Sequence, residues 1–237
     1  MEPCDHTSVG EDGMAEVSRY TADLLDQIGR SLSQRAYNQL LDMLMKREIP
    51  VGTVLQERRL AEILQISRTP TREALYRLET EGFITRKPGR VLIVKEFSDR
   101  ELIEILHVRK ILEAESATLA AGRIPVSELN AIEAEIQELL AKDGPTASED
   151  WDVDDRFHSM IALHSGNGAL AKIIQDLRLK THMFNLDRMP ERFEAGHREH
   201  LEVIAALREN DKEKARAGVE QHIENVKRSI IQKLSQM

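Results

Sequence analysis

Asp154 and His158 stand four residues apart in WDVDDRFHSMIALH, so a helix there carries both on one face. His200 and His222 fall inside two later stretches. Each of the three imidazoles has apolar helical neighbours: Phe157 and Ile161, Leu201 and Ile204, Val219 and Ile223. Three imidazoles and one carboxylate form a donor set for a divalent transition metal, and they leave positions open for water or for an effector oxygen. Spacing alone leaves the alternative of satisfied core histidines open. A second pattern is SRTPTREALYRLETEGF, from Ser67 to Phe83, where a helix begins with Arg68 and Arg72 one turn apart. Paired guanidiniums at a helix start can each donate two hydrogen bonds to O6 and N7 of guanine.

The chain that positions these residues has 237 residues, 41% of them apolar, enough for one large domain or two ordinary ones. Its single cysteine, Cys4, lies in a polar N-terminal segment, which excludes a disulfide framework and a thiolate metal cluster. No window approaches the roughly 18 consecutive apolar residues of a membrane span, and MEPCDHTSVGEDG has acids where a secretory signal needs a basic start. No membrane partner is expected, and the expected compartment is the cytoplasm. The net charge of −8 is unevenly spread: residues 30–95 hold thirteen Lys/Arg against seven Asp/Glu, and the rest of the chain is acidic. A basic segment in an acidic chain suggests a nucleic-acid module joined to a part with another partner.

Within the basic segment, SQRAYNQLLDMLMKREI spaces Ala36, Leu40 and Leu44 as a helix, with Ser33 as its expected N-cap. Pro50 and Gly52 force a turn. ERRLAEILQI predicts a short second helix with Leu60, Ile63 and Leu64 facing inward, and Ser67 caps a third with Ala74, Leu75 and Leu78 as its buried stripe. FITRKPGRVLIV then reads as a hairpin with a basic tip. Three helices and a basic hairpin make a winged helix-turn-helix, whose recognition helix enters the major groove with its N-terminal turn. Arg68 and Arg72 are the base readers in that arrangement. Ser67 and Thr69 can bond phosphate oxygens, and Lys87 and Arg90 at the wing tip reach phosphate or the minor groove.

Residues 96–237 read as six helices. Ser98 caps the first, which runs to Gly122; Ser127 caps the second; the others start near Ser148, Ala169, Glu191 and Asp211. The expected fold class is mainly α: an N-terminal winged helix-turn-helix at 31–95 and a C-terminal all-α antiparallel helical bundle at 96–237. Residues 1–30 form an N-terminal extension in which Val17, Tyr20, Leu24 and Ile28 could line one helical stripe.

GTVLQERRLAEILQISRTPTREALYRLETEGFI resembles the DNA-binding signature of GntR-type bacterial transcriptional regulators, from about Gln34 to Val94. The resemblance places the family's DNA-contacting arginines at Arg58, Arg68 and Arg72 and its wing-tip glycine at Gly89. DDRFHSMI, REHLEVIAALRENDKEKA and VEQHIENV resemble the effector-binding FCD domain of the subfamily named after the fatty-acid regulator FadR, in the branch that keeps a metal site. There the ligands correspond to Asp154, His158, His200 and His222, and six helices match the VanR-like variant. Arg109 and Glu113 match the family's pocket-facing arginine and its helical neighbour, and an arginine beside a metal implies a carboxylate effector.

The resemblance implies a homodimeric cytoplasmic regulator, associated with the bacterial nucleoid and most often a repressor. It binds a double-stranded operator with a short inverted repeat and responds to a small carboxylate at a divalent ion, zinc first, with nickel or manganese as alternatives. No catalytic residue is expected. Two competing readings are a metal-dependent enzyme acting on a small organic acid, with Glu199 beside His200 as base, and a purely structural metal. Asp155, His164, His182 and His197 are expected at the surface or behind the ligands.

Overall fold

Helix α1, residues 31–45, buries Ala36, Tyr37, Leu40 and Leu44, the stripe its spacing dictates. The computed structural model describes residues 31–183 and 192–235, so the helical stripe expected within 1–30 lies outside the described residues. The chain divides between Lys95 and Glu96 into two units. In the first, α2 (Glu57–Leu64) ends at Gln65 in the left-handed conformation, and α3 (Arg68–Thr80) follows within three residues. Strand β1 (Ile84–Lys87) pairs antiparallel with β2 (Val91–Val94), from Ile84 opposite Val94 to Lys87 opposite Val91. Leu55 N–H donates to Leu92 and Val94 N–H to Thr53, so the segment after α1 lies along the hairpin edge. Phe83, Ile84, Leu78 and Leu40 fill the core of this unit.

The first unit departs from three local expectations. Residue 31 is already helical, so Ser33 lies within the helix and its hydroxyl donates to Glu73 instead of capping. Ile63 is 52% exposed, because it falls roughly a third of a turn off the stripe of Leu60, Ala61 and Leu64. Ser67 holds the N-cap position of α3, but its side chain makes no capping bond. A capping hydroxyl bonds the N–H two or three residues on, and the third residue is Pro70, which has none.

The described residues of the second unit form a bundle of six helices: α4 (Asp99–Ala120), α5 (Val126–Ala141), α6 (Ala147–His164), α7 (Gly168–Met183), α8 (Phe193–Arg208) and α9 (Lys212–Leu234). The starts of α4 and α6 carry reciprocal caps, Ser98 with Glu101 and Thr146 with Glu149. The expected cap Ser127 instead lies in the first turn of α5, whose N-cap position is Pro125. Helix α4 packs against α6, α7 and α9, while α8 packs on α9 and α5 on α6 and α8. Leu106, Phe157, Ile136, Ile204 and Ile223 belong to one continuous apolar cluster. The central position of α4 is why Arg109, Glu113 and Ser116 are buried along with its leucines and alanines.

Gly122 turns the chain from α4 into α5 at φ +78, and a Cβ there would lie 2.6 Å from Asn210 Oδ1. Gly122→Ala therefore combines left-handed strain with a steric conflict, and it is expected to cost about 1–3 kcal/mol. A urea midpoint measurement checks this, with Asn210→Gly in the same chain restoring part of the loss.

Candidate metal centre and nucleic-acid interface

Asp154, His158, His200 and His222 come together in the bundle, with one donor atom from each lying within 4.8 Å of all the others. Helix α6 supplies the first two, α8 the third and α9 the fourth. Asp154 Oδ1 lies 3.7 Å from His158 Nε2 and 3.6 Å from His200 Nε2, while the Nε2 atoms of His200 and His222 are 3.3 Å apart. All three imidazoles are buried.

Groups behind these donors hold them in place. Arg178, 1% exposed, donates from Nη2 to Asp154 Oδ2 at 2.8 Å, which leaves Oδ1 turned to the imidazoles. Its Nε reaches Asp155 at 3.3 Å. Glu113 Oε2 lies 2.5 Å from His158 Nδ1, and Glu113 Oε1 accepts from Arg109 Nε at 2.6 Å. On the far side, Glu199 Oε2 is 2.8 Å from His222 Nδ1, and the same carboxylate accepts from Arg192 and Asn225. A carboxylate at Nδ1 takes that nitrogen's proton in a hydrogen bond and leaves a lone pair on Nε2. His200 has no such partner, and Phe157 stacks on its ring at 4.1 Å instead.

The charge balance follows from burial. Desolvation pushes the His158 imidazole down to about 4, and the Arg178 charge acts the same way. Desolvation and the neighbouring His222 hold His200 well below its ordinary value. For Asp154 burial acts upward, but Arg178 and the imidazoles outweigh it and keep the group a carboxylate. Glu113 is likewise held low against its burial by Arg109, His158 and Arg178. The centre thus offers the neutral imidazoles of His158 and His200 beside an ionised carboxylate, and His158 Nε2 is buried with no hydrogen-bond partner. A buried acceptor without a donor is costly, and a cation among the four would satisfy it. The donor set fits a borderline divalent ion.

The centre forms part of the wall of a cavity of about 440 Å³, which Arg109, Trp151, His182, Arg192 and His197 also line. Several of the extra titratable residues are more involved than their sequence suggests. His197 is buried and bonds Asp150 at 2.7 Å, His182 stacks on Trp151 at 3.8 Å, and Asp155 meets Arg178. His164 pairs with Glu128 near the surface. Glu199, committed to His222, Arg192 and Asn225, is no free base. Sequence reading missed Arg178 altogether. Its signal was a charged residue at helical spacing from the buried Ile174 and Thr181.

In the first unit the expected DNA-facing residues are all exposed. Ser67, Arg68, Thr69 and Arg72 occupy the start of α3, Arg58 lies on α2, and Lys87, Gly89 and Arg90 form the hairpin tip. Gly89 (φ +82) and Arg90 (φ 62) are both left-handed, which tightens the tip.

Residues 32–94 match the family described as bacterial regulatory proteins, gntR family, and residues 104–225 match the FCD domain. The chain is similar to the Uxu operon transcriptional regulator of Escherichia coli K12, 28% identical over 232 residues that cover 84% of this chain and 88% of that protein. It is also similar to the Nta operon transcriptional regulator of Aminobacter aminovorans, 28% identical over 174 residues, 73% of this chain and 82% of that one. Among solved structures, E. coli McbR/YncC superposes with a TM-score of 0.73 at 25% identity, covering 86% of this chain and 98% of that one. Among the described residues no helix is long and apolar enough to cross a membrane. A DNA-reading fold in the first unit and a sensor-type helical bundle in the second thus agree with both matches, and the chain belongs to the GntR family of bacterial transcriptional regulators with an FCD domain, a regulator and not an enzyme.

Proposed function

We propose that the chain is a homodimeric repressor in which residues 31–95 read an inverted-repeat operator and residues 96–237 dimerise and bind a small carboxylate at a divalent-metal centre. The observation that carries this reading is the convergence of Asp154, His158, His200 and His222 in the wall of the cavity that Arg109 lines. These four residues hold the ion, with zinc first and nickel or manganese as alternatives. Such an ion supplies open positions for an effector oxygen. Arg109, fixed through its Nε by Glu113, presents its remaining guanidinium donors to the effector's carboxylate. The effector changes operator affinity only by the difference between its affinities for the two dimer states. A hundredfold change corresponds to about 2.7 kcal/mol, the size of one or two charge-assisted contacts.

The base contacts come from Arg68 and Arg72, a further DNA contact from Arg58, the backbone contacts from Ser67, Thr69, Lys87 and Arg90, and Gly89 permits close approach of the wing. The protein acts in the bacterial cytoplasm, on the nucleoid. Arg68→Ala and Arg72→Ala are each expected to weaken binding to the preferred duplex roughly tenfold or more. Lys87→Ala is expected to weaken all DNA alike and to lower the salt slope by about one. Footprinting over a salt series checks both and tests for two half-sites one helical turn apart.

His200→Ala is expected to lower metal content and abolish the effector response while effector-free operator binding survives. Arg109→Ala is expected to keep the metal and lose the response. Elemental analysis and titration of the two variants decide between these outcomes, and a parent protein that takes up no metal ends the reading.

The chelator-treated protein should also be acid-sensitive. His158 takes its proton only near 4 in the folded state, whereas an unfolded imidazole takes it near 6.5. The unfolded chain therefore binds more protons in that window, and stability falls as pH drops from about 6.5 towards 4. The ionised Asp154 and Glu113, held low by the arginines, act in the same direction at lower pH. Thermal midpoints across this range check it, and added metal should raise them at pH 7.5 but not near pH 4.5.

A further inference from the structure

One carboxylate on α2 holds both arginines at the start of α3. Glu57 Oε1 accepts from Arg68 Nε at 3.0 Å and from Arg72 Nη2 at 2.9 Å, and Oε2 accepts from Arg72 Nε at 2.8 Å. Glu57 is the first residue of α2 and Arg68 the first of α3, so the contact joins the two helix starts. The link between them is short, and Leu60, Leu64, Ala74 and Leu75 are all buried, which fixes where the carboxylate stands relative to α3.

A guanidinium has two edges that can make paired hydrogen bonds: the side edge of Nε and one Nη, and the end edge of the two Nη groups. Glu57 takes side-edge donors of both arginines. The end edge of each is left for another planar acceptor, and that edge is one that can span O6 and N7 of guanine. The arginine side chains are 63% and 66% exposed, so neither is held by packing. Two other acids near the reading surface are committed elsewhere: Glu73 to Ser33 and Glu79 to Arg86. Arg58 has only a loose contact at 3.6 Å and is 81% exposed.

The geometry points to Glu57 as the positioning residue for base reading: it orients Arg68 and Arg72 as a pair before DNA arrives, and its charge restrains their attraction to phosphate in general. This rests on the assignment of the two arginines as base readers. The hydrogen bond from Arg72, together with Arg68, holds the carboxyl below its usual range, so it is ionised wherever the protein binds DNA. An exposed ion pair adds little to stability. Its effect here is on the rotamer freedom that two long side chains would otherwise lose on binding, and on the sign of the local field.

The test uses the full chain and a pool of duplexes with a randomised central segment. The parent selects its preferred sequence from the pool, and discrimination is the ratio of its affinities for that duplex and a scrambled one of equal composition. Glu57→Gln and Glu57→Ala are expected to lower this ratio about tenfold. Affinity for the scrambled duplex should rise and its salt dependence steepen, because one negative charge is gone. In the Arg68→Ala, Arg72→Ala background the same change at Glu57 should leave the ratio where the two arginine changes put it. Circular dichroism and thermal unfolding verify that the variants fold. Parent-like discrimination in both Glu57 variants, while the arginine variants lose theirs, overturns the inference and leaves the base-reading assignment standing. Parent-like discrimination in the arginine variants overturns both.

Discussion

Arg178 cannot be buried in a helical bundle without carboxylates around it, and the arrangement of the second unit follows from that requirement. Its guanidinium on α7 meets Asp154 and Asp155 on α6. Asp154 in turn faces imidazoles on α6, α8 and α9, and Glu113 on α4 balances Arg109 while standing behind His158. Five of the six helices described in this unit are thereby joined through one polar network set among apolar side chains. Breaking a buried ion pair by deleting one partner typically costs about 3–5 kcal/mol, because the remaining charge stays buried. The network is therefore a condition for packing these helices as well as a candidate binding centre.

The two units use arginine and carboxylate in opposite ways. At the bundle's centre Arg109 and Glu113 form a dry pair and Arg178 is buried against two aspartates, so each guanidinium depends on its partner. At the start of α3 the pairs are wet, add little to folding, and leave guanidinium edges free. Tyr37 shows an intermediate use. Arg77 lies 3.7 Å over its ring and Glu81 accepts its hydroxyl, which fastens α1 to the end of α3 behind the exposed face.

Much of this was legible in the sequence, because helical periodicity and turn residues act locally. Ala36, Leu40 and Leu44, the Ser98 cap, the hairpin around Pro88 and Gly89, and six helices after residue 96 all follow from short-range rules. The four converging donors were legible as residue types, and their convergence was expected from resemblance more than from spacing. What stayed hidden depends on which faces meet. Arg178 lies on a helix whose pattern does not show that aspartates await it, and Glu57 is eleven residues before Arg68 and fifteen before Arg72. The misplaced caps have a simpler cause. Ser33, Ser67 and Ser127 are good capping types, yet a cap needs a free N–H at the right position, and an adjacent proline or an earlier helix start removes it.

The three imidazoles are not held alike. His158 and His222 are each gripped at Nδ1 by a carboxylate, Glu113 and Glu199, whereas His200 Nδ1 has no hydrogen-bond partner and its ring is packed by Phe157, His197 and His222. The ring turns only about its Cβ–Cγ bond, which swings it out of its own plane, so packing on its faces and not a hydrogen bond at Nδ1 sets how far its Nε2 can move. In the proposed centre this divides the imidazoles into two held by carboxylates and one held by packing. A cation among the four would thus have one donor whose setting depends on the packing of a phenyl ring and not on a carboxylate.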